Sequence, residues 1–490
     1  MSSTAPAPWH VFAAHESRPF PFFLDRAVGS RLSFAGSRPR EQLVIERDGR
    51  ARVWRSGSWR ADARDPVDCI AGFVEQNRSD AVAGPAWLAQ NVLPRVVGYL
   101  AYELGEWTER HPRHAAIAMA KRVQAPSGLP LAVLSVYDEF DAWDPRTLSA
   151  AHVRFAVTPP AVDAAGPPFP ADVVSAAWTA TTRDDYRRGF DRIRSAISAG
   201  EVYQANLSRR AVFPFAGSAA QTYGALRAVQ PVPWGAFLDY GGFALLSNSP
   251  ECFLSRRGDD VETRPIKGTR PRHNNTADDA SARNDLQSDP KELAEHLMIV
   301  DLERNDLGRV ARTGSVQVNH LANVESYATV HHMVTDVHAK LRPDTGLASL
   351  LRATFPGGSI TGAPKIRAME ILREVEAAER GPYTGAIGCF NGGDQLELSI
   401  AIRTAVASGD RLVYSTGGGI VADSDPDREW VETEVKLAAL VAARGAARTL
   451  TAAKQEAVGT NASPAGDGTA SEFEPPATGR PALRRAGERS

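Results

Sequence analysis

The chain has 490 residues, 43% of them hydrophobic, enough to bury a large core in one big domain or in two or three smaller ones. Lys+Arg of 56 against Asp+Glu of 58 leaves a formal net charge of −2, so no overall basic field recommends nucleic acid or an anionic membrane, and any anion site must be local. Three widely separated cysteines, Cys69, Cys252 and Cys389, argue against a disulfide framework or a zinc knuckle and point to a reducing, cytoplasmic setting; residues 1–10 lack a signal-peptide pattern, and no uninterrupted run of about eighteen apolar residues supports a spanning helix.

Residues 1–158 mix turn clusters such as 36–40 with β-rich runs such as 43–54, and 98–102 reads as a buried strand, which gives an all-β or α+β entry region. A Pro- and Ala-rich stretch at 159–172 lacks periodicity and marks the main boundary before a catalytic region at 173–450. From Asp184, the apolar residues Tyr186, Phe190, Ile193 and Ile197 fall at helical spacing, Gly200 supplies a stop, and a strand begins near Val202. Strand character recurs at 243–246, 396–402 and 411–415. Helical patterns occupy 290–307, 364–378 and 428–443, the first two with proline near the start. Strands and helices intermix without a regular βαβ repeat. Beyond about Ala452 large apolar residues thin out, and 454–490 reads as a disordered tail.

Several clusters could carry chemistry. Lys267, in Pro-Ile-Lys-Gly-Thr with Arg270 and Arg272 behind it, has a proline-fixed turn on one side and a glycine on the other; its ammonium is positioned under little cover, which suits covalent attack or carboxylate binding. Glu292 and Glu295 project from one helix face, and Glu429 and Glu432 repeat that spacing with Lys436 one turn on. Solvated helix faces give the same spacing, and only convergence of the two helices would make an oxygen-only site suited to Mg²⁺. The run Ser-Thr-Gly417-Gly418-Gly419-Ile follows a strand, where its N–H groups form an anion nest or a plain turn; it fits neither a P-loop nor a dinucleotide fingerprint. A second glycine-rich segment, 355–365, reads equally as a lid or a structural turn. Arg403 offers a carboxylate a rigid fork or makes an ordinary ion pair, His332 is a core histidine or a catalyst, and Tyr383 orients a substrate or caps a turn.

In order, Ser-Pro-Glu251-Cys-Phe, Pro-Ile-Lys267-Gly-Thr, the run 291–309 that holds Glu292 and Glu295, and Phe-Pro-Gly-Gly-Ser-Ile-Thr-Gly-Ala-Pro-Lys365 resemble the chorismate-utilising enzyme family. Arg-Gly-Pro-Tyr383-Thr-Gly, Ile-Arg403-Thr and Gly417-Gly-Gly followed by Glu429-x-x-Glu432-Thr-x-x-Lys436 extend the likeness over roughly 180–445. The resemblance implies an α+β fold of large, mostly antiparallel sheets packed as a sandwich with helices outside, in α/β/β/α layers, and chorismate, a dicarboxylate, as substrate. It implies Glu295 and Glu432 as Mg²⁺ carboxylates with Glu292 and Glu429 beside them. Gly268, Thr269, Tyr383, Arg403, Gly417, Gly418, Gly419 and Lys436 then become substrate contacts, and His332 sits beside the reacting ring.

Members that add water carry a lysine base where this chain has Gln204, and an amide cannot serve as that base, so the resemblance implies the aminating branch. Within that branch, members that make anthranilate typically show Pro-Ile-Ala-Gly-Thr, and those that place nitrogen at C4 typically show Pro-Ile-Lys-Gly-Thr, as here. The implied mechanism has Lys267, kept deprotonated by Arg270, Arg272 and Mg²⁺, attack C2 while Glu251 protonates the departing C4 hydroxyl. Ammonia then adds at C4 and expels the lysine, giving 4-amino-4-deoxychorismate for 4-aminobenzoate and folate. No Gly-x-Cys-x-Gly elbow is present, so a separate glutamine amidotransferase subunit is expected to supply the ammonia. Glu16-Ser17 and Pro-Val-Pro-Trp234 resemble weakly the segments that form a tryptophan pocket in relatives, although the leucines that usually precede the Glu-Ser pair are absent.

Overall fold

A computed structural model describes residues 8–26, 28, 31–79, 82–88, 90–108, 128–156, 169, 178–327 and 330–459. Met1–Ala447 forms one compact unit and Arg448–Ser490 a second. In the first unit an eleven-stranded sheet runs in the order Gly362–Ala363, Gln204–Pro214, Arg411–Ile420, Thr404–Ser408, Ala244–Ser249, Trp234–Asp239, Phe22–Asp25, Ser33–Gly36, Glu139–Asp144, Ser149–Phe155, Val82–Ala83. A twelve-stranded sheet runs Ile266–Pro271, Val330–Lys340, Asp260–Arg264, Cys252–Arg257, Gln395–Ile400, Ala386–Phe390, Val96–Leu100, Ala132–Val136, Glu41–Ile45, Ala51–Arg55, Ser58–Asp62, with Gln317–Ser326 paired to Val330–Lys340 off this path. The ladders are antiparallel.

Period-2 alternation sets the layers. Leu24, Phe34, Leu245 and Val406 of one sheet meet Val44, Val97, Tyr99 and Val133 of the other in a shared core. The opposite face of the larger sheet presents Leu43, Leu100, Leu134 and Phe390 to Phe73 of helix Pro66–Gln76, Leu350 of Leu347–Thr354 and Leu307 of Pro290–Gly308. On the far side, Phe23, Phe237 and Tyr414 pack on Tyr223 of helix Ala219–Val229 and Leu440 of Pro426–Gly459. The outcome is the expected α/β/β/α sandwich, each buried large apolar side chain contributing about 1.5–3 kcal/mol.

Local patterns decide most elements. The helix expected from Asp184 spans Arg183–Ser198, with Thr182 and Asp185 bonded reciprocally at its start and Gly200, at φ 73°, just past its end. The β-rich run 43–54 forms a hairpin, Glu41–Ile45 with Ala51–Arg55. The glycine run does not follow a strand: Gly417, Gly418 and Gly419 lie inside Arg411–Ile420, opposite Ser208, Leu207 and Asn206. Strands from 1–158 form one end of each sheet, so the sequence boundary at 159–172 separates stretches that share both sheets. Of that boundary segment only Phe169 lies within the described residues. Helix Pro426–Gly459 includes the start of the expected tail at Lys454, and residues 460–490 lie outside the described ones. No helix among the described residues is long and apolar enough to cross a membrane.

Candidate active site

Lys267 sits in strand Ile266–Pro271, at the end of the larger sheet, and not in a turn. Pairing with Val330–Lys340 slips after Lys267↔Met333 and resumes at Thr269↔His332, and the residue between, Gly268, has φ +72°. A glycine in the left-handed region is what such a bulge requires, and the extra residue re-aims the side chains around it. Lys267 thereby reaches the other sheet: a Cβ built on Gly419 would stand 3.4 Å from Lys267 Nζ and 2.3 Å from Gln204 Nε2. Gln204 is fully buried, and both its amide atoms lack hydrogen-bond partners among the described residues. Ladder pairing of Arg411–Ile420 with Thr404–Ser408 ends at Tyr414, which leaves one backbone edge of Gly417, Gly418 and Gly419 outside that ladder. Thr269 Oγ1 and His332 Nδ1 are 2.9 Å apart. Burial, with Arg403 nearby, pushes His332 down to about 3, so it serves as a neutral imidazole.

Two helices deliver the carboxylates. Asp289 caps Pro290–Gly308 by accepting from the Lys291 and Glu292 N–H groups, with proline at the first turn. From the other helix, Glu429 Oε2 and Glu432 Oε1 approach within 3.0 and 3.8 Å of a Cβ built on Gly418, and Glu429 Oε1 accepts from Ser424 Oγ at 2.7 Å. Burial pushes Glu295 up, with the charges of Lys267 and Lys291 opposing the shift and those of Glu292 and Glu432 adding to it. Burial likewise raises Glu429. Against its own desolvation, Glu432 is held below the ordinary range by Lys436, whose Nζ is 2.7 Å from Glu432 Oε1 and donates to Gly417 O at 2.7 Å. Glu292 instead accepts from Arg270 at 3.1 Å.

Glu251 is buried, and its Oε1 accepts from Ser359 Oγ at 2.6 Å. Burial lifts it to about 7, against the Ser359 hydrogen bond and the charges of Lys267 and Arg403. Burial lowers Arg403, which has φ 51° and no carboxylate within ion-pair distance among the described residues. A largely desolvated guanidinium without a partner suits an incoming carboxylate. Tyr383, raised by burial, lies in the field of Arg380 and Tyr414. The cations expected to surround Lys267 are themselves neutralised: Arg270 is paired with Asp289 and Glu292, and Arg272 with Asp279. The groups that feel the Lys267 charge are Glu251, Glu295, Glu432 and His296.

Residues 22–442 match the family model described as chorismate binding enzyme. The chain belongs to the chorismate-binding enzyme family. It is 39% identical over 372 residues to anthranilate synthase component 1 1 of Haloarcula marismortui, covering 70% of this chain and 74% of that protein. It is 48% identical over 261 residues to aminodeoxychorismate synthase of Streptomyces griseus (53% of this chain, 36% of that one), and 42% identical over 259 residues to aminodeoxychorismate synthase component 1 of Bacillus subtilis (53% and 55%). The chain thus spans about a third and about half of the two aminodeoxychorismate synthases. Among solved structures, anthranilate synthase component I of Streptococcus pneumoniae superposes with TM-score 0.69 at 26% identity, covering 84% of this chain and 93% of that one. The isochorismate synthase MenF of Escherichia coli shares the fold at TM-score 0.63 and 16% identity, covering 90% and 91%.

Within this chorismate-binding enzyme the carboxylates suit a hard cation. Glu295 and Glu432, one from each helix, lie within each other's field, with lysines as the nearby counter-charges. Among the described residues no group of three His, Cys, Asp or Glu side chains stands together as a complete metal cage. Sequence reasoning did not single out Ser359, which holds Glu251, or Glu303 and His296, which lie inside a recognised motif without an assigned role. It also missed Glu103, whose carboxylate accepts from the backbone N–H groups of Arg380 (2.6 Å) and Gly381 (3.0 Å) and so fixes the loop that carries Tyr383. Only the rarity of buried carboxylates could have flagged it. Trp234 is buried with the Arg26 and Arg31 guanidinium carbons each 4.5 Å from its ring centre.

Proposed function

We propose that this chain is the chorismate-converting large component of an aminodeoxychorismate synthase, making 4-amino-4-deoxychorismate from chorismate and ammonia for 4-aminobenzoate and folate. The observation that carries the reading is Lys267, whose amine reaches over Gly419 beside Gln204 and within the field of Glu251. Nothing else in the geometry separates C4 amination from anthranilate formation, and named relatives of both kinds match the chain.

Arg403 and the open edge of Gly417, Gly418 and Gly419 bind the substrate carboxylates, and Tyr383, Thr269 and neutral His332 orient the ring. Glu295 and Glu432, with Glu292 and Glu429 beside them, would hold Mg²⁺, which when bound supplies Lewis-acid stabilisation of a substrate carboxylate. In its amine form Lys267 attacks C2, both conjugated ring double bonds shift, and the C4–O bond breaks as Glu251 gives its proton to the departing hydroxyl, releasing water. Ammonia then forms the C4–N bond, both double bonds shift back, the C2–Nζ bond breaks to return the Lys267 amine, and the new ammonium gives up the proton that restores the Glu251 acid. Two displacements with allylic shift put nitrogen at C4. Gln204, an amide at the family's water-base position, cannot activate water in competition.

Ammonia comes from a glutamine amidotransferase subunit, and the three cysteines, all free and buried, suit a reducing cytoplasm. The test is chromatography and mass spectrometry of the product from chorismate, Mg²⁺ and ammonium salt. 4-Amino-4-deoxychorismate supports the assignment. Anthranilate, the product named for the Haloarcula relative, or isochorismate overturns it.

A further inference from the structure

Arg209 lies in strand Gln204–Pro214, on the face opposite to that of Gln204. Register sets it directly across from Thr416, and its Nε donates to Thr433 Oγ1 of helix Pro426–Gly459 at 2.6 Å. Two residues along the same ladder Leu207 stands across from Gly418, where a Cβ would come within 3.0 Å of Glu429 Oε2. This face of the strand pair therefore looks at the first turns of the helix that carries Glu429 and Glu432, and the Thr416 side chain shares it with Arg209. Trp430 covers the face: Arg209 Cζ is 4.1 Å from the centre of its ring, and the Tyr186 ring meets the indole edge-on at 5.4 Å.

Polar atoms around that indole are left over. Arg209 is 8% exposed, Thr416 3% and Tyr186 2%, and Arg209 Nη2, Thr416 Oγ1 and Tyr186 Oη are buried without a hydrogen-bond partner among the described residues. Nor does any carboxylate of the described residues come within ion-pair distance of Arg209; Glu434, the acid whose field reaches it, accepts from Trp430 Nε1 at 3.0 Å. An unmet buried donor is costly, and a buried cation without a counter-charge more so. Arginine, threonine and tyrosine each have a donor to offer here and the arginine adds positive charge, a set that suits an anion and neither a cation nor an apolar ligand.

We propose that a small monovalent anion of the halide class binds between this strand pair and the helix, on Arg209 Nη2 and Thr416 Oγ1 with Tyr186 Oη beside it. It supplies the counter-charge that Arg209 lacks, and it ties the strands to the helix through the Thr433 and Trp430 contacts of the same guanidinium. Glu429 and Glu432 leave the same turns of that helix, so the anion is a structural clamp behind them and takes no part in bond-making. It does not depend on which product the enzyme makes.

Crystals of the full chain soaked in sodium bromide provide the first test, and an anomalous bromine peak is expected within hydrogen-bond reach of Arg209 Nη2 and Thr416 Oγ1. In solution at constant ionic strength, Tm should rise saturably as chloride or bromide replaces gluconate. Thr416→Val, which keeps the shape and removes the hydroxyl, should need about tenfold more halide for the same half-effect. A water at Arg209 in the bromide crystal, or bromine bound only elsewhere, overturns the proposal. So does a Tm that responds equally to gluconate and chloride, or a Thr416→Val curve that matches wild type. Should the variant fold poorly, the wild-type crystal decides alone, and neither readout uses turnover.

Discussion

Replacing Glu251 with glutamine keeps an acceptor for Ser359 Oγ but removes the proton that the departing hydroxyl needs. The expected outcome is a fall in kcat of about 10²–10⁴-fold with chorismate binding retained, measured by steady-state rates and by equilibrium titration of substrate. Weaker binding with unchanged turnover would instead make Glu251 a packing residue. At this scale the sequence was informative, because Lys267, Arg403 and the paired glutamates stand in short motifs whose residue types suit their chemistry. It misled on the surroundings of Lys267. Proximity in sequence made Arg270 and Arg272 free cations beside it, whereas both are held in ion pairs, Arg270 with Asp289 and Glu292 and Arg272 with Asp279.

Elements set the aim of these groups. The bulge at Gly268 turns Lys267 toward the opposite sheet, and a methyl group there would meet Leu286 Cδ1 at 2.7 Å and Glu292 Oε2 at 3.1 Å, at a φ of +72°. Gly268→Ala should therefore destabilise the fold by about 1–3 kcal/mol and lower kcat by more than it raises KM, since the strain falls on the strand that aims the amine. Denaturant unfolding alongside kinetics checks both parts, and unchanged stability with normal kcat would show the bulge to be dispensable. Helix limits were legible from proline, capping residues and apolar spacing. The strand character of 417–419 was not, because three glycines carry no β signal and the strand is fixed by its partner Gln204–Pro214, two hundred residues earlier.

The whole molecule joins distant stretches of chain around the site. Both sheets take strands from 1–158 and from the motif-bearing region, and Glu103 of the first holds the loop before Tyr383 of the second. Glu103→Ala leaves two buried backbone N–H groups without that acceptor, at a cost of about 1–3 kcal/mol each. A lower Tm and a raised KM for chorismate are expected; a variant with wild-type KM and Tm would show that the loop holds itself. The sandwich was legible through the family resemblance, but this long-range contact was not, since no local pattern couples residue 103 to residue 380. The most direct test of the chemistry is product analysis of Lys267→Ala beside wild type, with chorismate, Mg²⁺ and ammonium salt. Wild type should yield 4-amino-4-deoxychorismate, and the variant should lose it or divert nitrogen to C2; a variant that still makes the C4 amine at the wild-type rate would contradict the role given to Lys267.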